Sequence, residues 1–550
     1  MTTANFEVSE RHTTPVAVVL GLCALLALTG TPEQARAAAE GADRFVVTTE
    51  AGVVRGRPGN GVREFKGIPF AAPPLGELRW ALPERAAAWS GVRDATAYRS
   101  ACPQPSRYGL TDASNDEDCL YLNVTTPTSA AGGLRGHPVL VWIHGGAFIG
   151  GSSNLYPLEY LARAGDLVVV SINYRLGVFG VMPHPSFEAA HNGGYALEDQ
   201  RAAFRWVKRN IAAFGGDPAN VTIAGESAGA ASVCMHLFAP DESRDLFEKA
   251  IVQSAACAVH LHTVTEAEAI GRKVAHLVGC NNVATALVCL RTKSVAELLA
   301  AATTAASGEP MAFAPAVGSR TLPRQGADAL ATGDFLRVPL INGGNRDEMR
   351  LYVGYDVAAG KAVKPANYFD NLRAIYGEKA PAVASEYPVA SYTSAPAALG
   401  TVLSDFMPGG GLSNCLYLRS GRLAAKHVPV FEYEFADRGA PPVMPDPGFE
   451  LGAVHAAELP YQFPHISHTY RVDGPDLNPA AQRLAAQMAA YWSRFAHSGR
   501  PQPTGLSPWP EYSSDASVLR FDAGDVGLFD ASAAHHCSFW RTLYPDALGR

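Results

Sequence analysis

The pentapeptide Gly225-Glu226-Ser227-Ala228-Gly229 follows directly on the β-branched, apolar run Val221-Thr222-Ile223-Ala224. A strand that turns sharply into a helix at such a G-x-S-x-G elbow holds its serine in a strained backbone conformation with the hydroxyl exposed. The flanking glycines leave room for the two elements to approach. The chemistry on offer is nucleophilic attack by Ser227 on a carbonyl. A serine hydroxyl is a poor nucleophile near neutrality, so it needs a base, an acid to orient that base, and N–H donors for the oxyanion. Candidates for each stand just past predicted strands. His144-Gly145-Gly146-Ala147 follows the apolar Val139–Ile143, and the N–H groups of Gly146 and Ala147, with that of Ala228, are the expected oxyanion hole. Asp347 or Glu348, after the strand ending at Asn342, is the candidate acid, and His455 is the candidate base. Glu226 stands beside the nucleophile, where it would tune the histidine and position the deacylating water.

The elements that must hold these groups in place can be read from the pattern around them. Val139–Ile143 and Leu167–Asn173 are apolar on both faces, as central strands of a parallel sheet must be. The elbow strand, Ala250–Gln253, Val338–Asn342 and Val430–Phe435 continue the series, with helical stretches between them such as Asp199 to Phe214. Strands alternating with helices imply an α/β architecture: a large, mostly parallel central sheet covered on both faces. The segments from Cys257 to Pro339 and from Tyr352 to Gly411 are helical and Ala-rich, and are expected to cap the active-site edge of the sheet. Asn478-Pro479 opens a helix whose stripe of Leu484, Met488, Tyr491, Trp492 and Phe495 docks on the core, and Gly499 closes it.

Composition narrows the function classes. The chain has 550 residues, 47% of them hydrophobic, and its 52 glycines and 39 prolines are scattered singly, which describes a globular protein with a large core. A formal charge of −7 without any Lys/Arg cluster argues against a nucleic-acid partner. Residues 1–37 read as a cleaved secretory signal, with Arg11 and His12 before the apolar run Pro15–Leu28 and Ala35-Arg36-Ala37 as the small-x-small site. Residues 38–44 then form an Ala-rich linker and 45–546 a single domain, secreted or periplasmic, with no membrane anchor in the mature chain. Apart from Cys23 there are eight cysteines, an even number for an oxidising compartment. Cys102 with Cys119 and Cys280 with Cys289 would close short loops, Cys415 with Cys537 would tie back the C-terminus, and Cys234 reads as a buried free thiol.

The order Ser227, acid, His455 is that of an α/β-hydrolase. Over Phe45 to Pro545 the sequence resembles the type B carboxylesterase, or cholinesterase-like, family of that fold. The resemblance is carried by Glu117-Asp118-Cys119-Leu120-Tyr121-Leu122-Asn123-Val124, Asn173-Tyr174-Arg175-Leu176-Gly177, the run from Phe214 to Gly229, and His455 with Glu458-Leu459. It implies a serine carboxylesterase acting on a small-molecule ester through an acyl-enzyme, with no metal or other cofactor. In that scheme Ser227 is the nucleophile, Glu348 rather than Asp347 the acid, and His455 the base, with the oxyanion hole at Gly146, Ala147 and Ala228. The resemblance also implies the Cys102–Cys119 and Cys280–Cys289 pairs and buried ion pairs of Arg79 with Glu117 and Arg175 with Asp199. The same machinery would serve an amide, carbamate, thioester or aromatic diester, and the family includes catalytically inactive adhesion proteins. Met349 and Ala456 stand where glycine commonly follows the triad acid and histidine. The loop between Cys102 and Cys119 has Tyr108 as its only aromatic, without the tryptophan that holds choline by cation–π contact, which argues against choline esters.

Overall fold

The computed structural model describes residues 44–106, 113–129, 136–307, 309, 311–466 and 477–549. The expected signal (1–37), residues 38–43 of the linker, and Tyr108 lie outside the described residues. The chain opens with the hairpin β1 (Val46–Thr49) and β2 (Gly52–Arg55), followed by β3 (Arg57–Pro58), β4 (Val62–Pro69) and β5 (Val92–Asp94). Strand β5 joins the hairpin in a small three-stranded sheet. The large sheet is built on β6 (Tyr121–Pro127), β7 (His137–Ile143), β8 (Val168–Ile172), β9 (Gly216–Glu226) and β10 (Lys249–Gln253). It is completed by β11 (Leu340–Asn345), β12 (Val430–Phe435), β13 (Val518–Asp522) and β14 (Asp525–Phe529), together with β3 and β4. Eleven strands run in the order β14-β13-β12-β11-β10-β9-β7-β8-β6-β4-β3. Pairing is parallel from β8 across to β13 and antiparallel at both margins. Every residue of β7 and β8 is buried, which is why both read as largely apolar runs, His137 and Ser171 being the polar exceptions.

Five helices matter for the site. Helix α1 (Tyr195–Asn210) starts before the expected Asp199, because Gly194 rather than the acidic residue ends the preceding loop; Ala203, Trp206 and Val207 lie on its buried face. Helix α2 (Ala228–Leu237) leaves the elbow, α3 (Arg350–Ala358) leaves the acid turn, and α4 (Asn414–Ala424) packs behind β11 and β12. Helix α5 (Pro479–Ser498) is capped as its sequence predicts: the Asn478 side chain accepts from the N–H groups of Ala480 and Ala481, and Gly499 at φ +75° closes it. Its stripe, from Leu484 to Phe495, is buried against the sheet. The segment from Cys257 to Pro339 is helical, with helices Val264–Leu277, Val295–Ala305 and Gly326–Thr332.

Among the described residues four disulfides cross-link the fold: Cys102–Cys119, Cys234–Cys257, Cys280–Cys289 and Cys415–Cys537. The second corrects the reading of Cys234 as a free thiol. Parallel pairing of β9 and β10 brings the segment after β10 beside the helix after β9, so the Cα atoms of Cys234 and Cys257 lie 5.3 Å apart. Closing that 23-residue separation stabilises the fold by about 3 kcal/mol on the chain-entropy model. The bond also ties α2, the helix after the Ser227 elbow, to the start of the helical insertion. Both expected ion pairs are present and buried. Arg79 Nε donates to Glu117 Oε1 at 2.7 Å, and Arg175 grips Asp199 in a fork at 2.8 and 2.7 Å. Arg79 also donates to the carbonyl of Lys293 at 2.7 Å, fastening the insertion to the N-terminal loops.

Candidate active site

Ser227 sits at φ +57°, ψ −124°, between the last residue of β9 and the first of α2, the strained elbow that its flanking glycines predict. Its N–H donates to the Gln253 carbonyl at 2.9 Å, so β10 fixes the turn. Gly229 is needed for a steric reason: a Cβ there would lie 2.0 Å from the Ile143 carbonyl oxygen, where α2 crosses the end of β7. Ala228 is the first residue of α2, so its N–H has no acceptor within the helix and is available to a substrate oxygen.

The loop after β7 passes directly against Ser227, since a Cβ on Gly145 would stand 3.1 Å from that of Ser227. Gly146, Ala147 and Phe148 all have positive φ (+109°, +54° and +60°), an uncommon conformation for two successive non-glycine residues. The surroundings enforce it. Ile149 and Gly150 both donate to the Gly146 carbonyl at 3.0 Å, and Tyr174 donates its hydroxyl to the His144 carbonyl at 2.7 Å while its ring stacks on the imidazole. Burial pushes His144 down to about 4, so it stays neutral and donates from Nδ1 to the Gly145 carbonyl at 2.8 Å. His144 therefore shapes the loop.

The two acids left open by spacing part company here. Asp347 is held in a fork by Arg438 at 3.0 and 2.8 Å and accepts from the Ala453 N–H at 3.1 Å. Glu348 Oε2 meets His455 Nδ1 at 2.7 Å, and its Oε1 accepts from the Asn345 N–H at 2.8 Å and the Tyr417 hydroxyl at 3.0 Å. The other imidazole nitrogen, Nε2, is 3.1 Å from Glu226 Oε1. The structure thus brings His455, Glu348 and Glu226 together, with Ser227 next to Glu226 in the chain. Among the described residues no hydrogen bond joins Ser227 Oγ to His455. The Tyr352 ring, on α3, lies 5.8 Å from the imidazole.

Three buried carboxyls surround this one histidine. Burial works against a charge on His455, but the carboxylates of Glu226 and Glu348 outweigh it and raise the imidazole to about 9. Burial also raises Glu226, with the neighbouring imidazolium opposing the shift. Glu458, raised by burial as well, accepts from Asn345 Nδ2 at 2.6 Å and Gln253 Nε2 at 3.3 Å, and Gln253 in turn accepts from Trp492 Nε1 at 3.0 Å. This layer beneath His455 and Glu348 is largely illegible in the sequence. Gln253 has a signal, a polar side chain at the C-terminal end of a buried parallel strand; Asn345 has only its place three residues before Glu348, and Tyr417, sixty-nine residues away, has none. Met349 has φ −83° and needs no glycine, while Ala456 at φ +66° occupies a position that glycine would relax.

Comparison with known proteins gives the family and the fold. The family model described as the carboxylesterase family matches residues 43–540. The chain is 36% identical over 514 residues to an acylcarnitine hydrolase of Mus musculus, a match covering 89% of this chain and 88% of that protein. It is 35% identical over 486 residues to a para-nitrobenzyl esterase of Bacillus subtilis (strain 168), covering 86% and 93%. Among solved structures, a thermophilic PNB esterase superposes with a TM-score of 0.75 at 31% identity, covering 90% of this chain and 99% of that one.

Proposed function

This chain belongs to the carboxylesterase family, has its α/β-hydrolase fold and is a carboxylic ester hydrolase; from that premise we propose that Ser227, His455 and Glu348 are its catalytic triad. The observation that carries the reading is the strained Ser227 elbow lying against the oxyanion loop, with His455 Nδ1 anchored on Glu348 at 2.7 Å. Ser227 Oγ attacks the ester carbonyl while His455 Nε2 takes its proton. The N–H groups of Gly146, Ala147 and Ala228 stabilise the oxyanion. His455 then returns the proton to the departing alcohol, leaving an acyl-Ser227. Water activated by the same imidazole releases the acid, and Glu348 holds the imidazolium throughout. The Ser227–His455 hydrogen bond forms with substrate in place, since catalytic contacts commonly tighten only in the reacting complex. The substrate is a small carboxylic ester, and four disulfides support a protein working in an oxidising, extracytoplasmic compartment. Among the described residues no helix is long and apolar enough to cross a membrane.

The test is hydrolysis of p-nitrophenyl acetate, butyrate and octanoate, with and without prior exposure to an organophosphate. Turnover that the organophosphate abolishes is expected, and the chain-length profile sizes the acyl pocket; undiminished turnover after exposure would contradict the assignment.

Glu226 makes a separate prediction about pH. His455 must be neutral to accept a proton, so kcat/KM rises with pH as the imidazolium, held above the ordinary histidine range, deprotonates. Glu226→Gln removes one of the carboxylates that favour the imidazolium, lowers the His455 pKa and moves the acid limb of kcat/KM to lower pH. An unmoved limb in the variant would show that Glu226 does not set the histidine's charge.

A further inference from the structure

The acid turn is gripped from behind by one helix. At the start of α4, Asn414 Nδ2 donates to the carbonyls of Arg346 and Ser404, both at 3.2 Å, spanning the turn and the end of a neighbouring helix. Next to it, Cys415 is bonded to Cys537, which pins the helix to the C-terminal segment. One turn on, Tyr417 is buried and reaches across β11 to place its hydroxyl 3.0 Å from Glu348 Oε1. Its ring crosses the strand at Gly344, where a Cβ would lie 2.3 Å from the ring and 2.6 Å from Glu348 Oε1. A side chain at that position would block the contact. The helix, the disulfide and the glycine together set one phenol against one oxygen of the candidate triad carboxylate.

We propose that Tyr417 is a positioning residue for catalysis: its hydroxyl, with the Asn345 N–H, saturates Glu348 Oε1 so that only Oε2 is left to orient His455, a role that rests on the triad assigned above. Two donors on Oε1 stop the carboxylate from rotating and draw negative charge away from the oxygen facing the imidazole. Burial, followed by the nearby Glu348 charge, raises the Tyr417 phenol well above its ordinary range, so it stays protonated and can act only as donor to the carboxylate. The titratable groups facing the imidazole are Glu226 from the elbow, Glu348 from the acid turn, Glu458 from the turn after the histidine and the phenol of Tyr352, while the phenols of Tyr417 and Tyr433 face the carboxylates. Tyr417 acts through its hydrogen bond to the acid.

Tyr417→Phe keeps the ring and removes the donor. Its expected effect is about a tenfold fall in kcat with little change in KM, the size of one hydrogen bond to a charged group. The acid limb of the pH profile should move to higher pH, because the uncompensated carboxylate holds the imidazolium more tightly. Introducing 3-fluorotyrosine at position 417 preserves shape and folding but strengthens the donor, and should move the limb the opposite way. On a Glu348→Gln background Tyr417→Phe should cost nothing further. Tyr368→Phe, which removes a buried phenol that donates to the Tyr387 carbonyl at 3.0 Å, serves as the structural control and should leave the pH profile unmoved. If Glu348→Gln is impaired while Tyr417→Phe and the fluorotyrosine protein both keep the parent kcat and acid limb, the role of Tyr417 is overturned and the triad stands. If Glu348→Gln itself turns over at the parent rate, the triad reading falls with it.

Discussion

Ser227→Ala is expected to lower kcat for p-nitrophenyl esters by roughly 10⁴- to 10⁶-fold while leaving the melting temperature within a few degrees of the parent. The hydroxyl is half-buried at the head of α2 and supports no other part of the fold, so its loss removes chemistry and not packing. Any residual rate comes from the oxyanion donors and substrate binding, which survive the change. His455→Ala added to Ser227→Ala should cost almost nothing more, because the base serves only the nucleophile it deprotonates. Hydrolysis by Ser227→Ala at a rate comparable to the parent would refute the assignment outright.

The second large effect concerns the elbow's geometry. Gly229→Ala puts a methyl group 2.0 Å from the Ile143 carbonyl oxygen and 2.9 Å from that of His144. Both atoms are backbone, so nothing can rotate aside. Either α2 lifts away from the sheet or the end of β7 is pushed off, and the second movement drags the loop carrying Gly146 and Ala147 with it. Displaced oxyanion donors should cost at least about 100-fold in kcat, and the overpacking about 1–3 kcal/mol of stability. Gly411→Ala is the matched control: nothing lies within 4 Å of its added Cβ, so stability should change by less than about 0.5 kcal/mol and activity not at all. A Gly229→Ala protein with parent kcat and melting temperature would mean that the elbow tolerates far more slack than its contacts allow.

Much of this was legible in the sequence because the sheet and the elbow announce themselves locally. A parallel strand buried on both faces has to be mostly apolar, and β7 is so from Pro138 on and β8 but for Ser171. An elbow needs small residues on both sides of its serine. The capped helix α5 is equally explicit, with Asn478 and Pro479 at one end and Gly499 at the other. Spacing could not choose between Asp347 and Glu348, because adjacent residues on a turn point apart and only the rest of the fold decides which meets the histidine. Arg438, ninety-one residues further on, claims Asp347, and that contact is invisible in a linear reading. Cys234 was misread for the same reason: its partner Cys257 is near only because β9 and β10 pair in parallel. Tyr417 left no trace at all, since its role depends on how α4 lies over Gly344. Ser227 and the His144–Ala147 loop, which stand at strand ends and carry a recognisable local pattern, could be found. Side chains that act through a second element packed behind the site could not.

The most direct test of the account is the pre-steady-state reaction with p-nitrophenyl acetate, quenched during turnover and followed by mass spectrometry of the peptide spanning the elbow. An acyl-enzyme mechanism predicts a burst approaching one p-nitrophenolate per protein molecule and an acetyl group on Ser227, both absent from Ser227→Ala. A linear onset with no acylated Ser227, in a protein that nonetheless turns over the ester, would contradict the central claim and move the chemistry to another group.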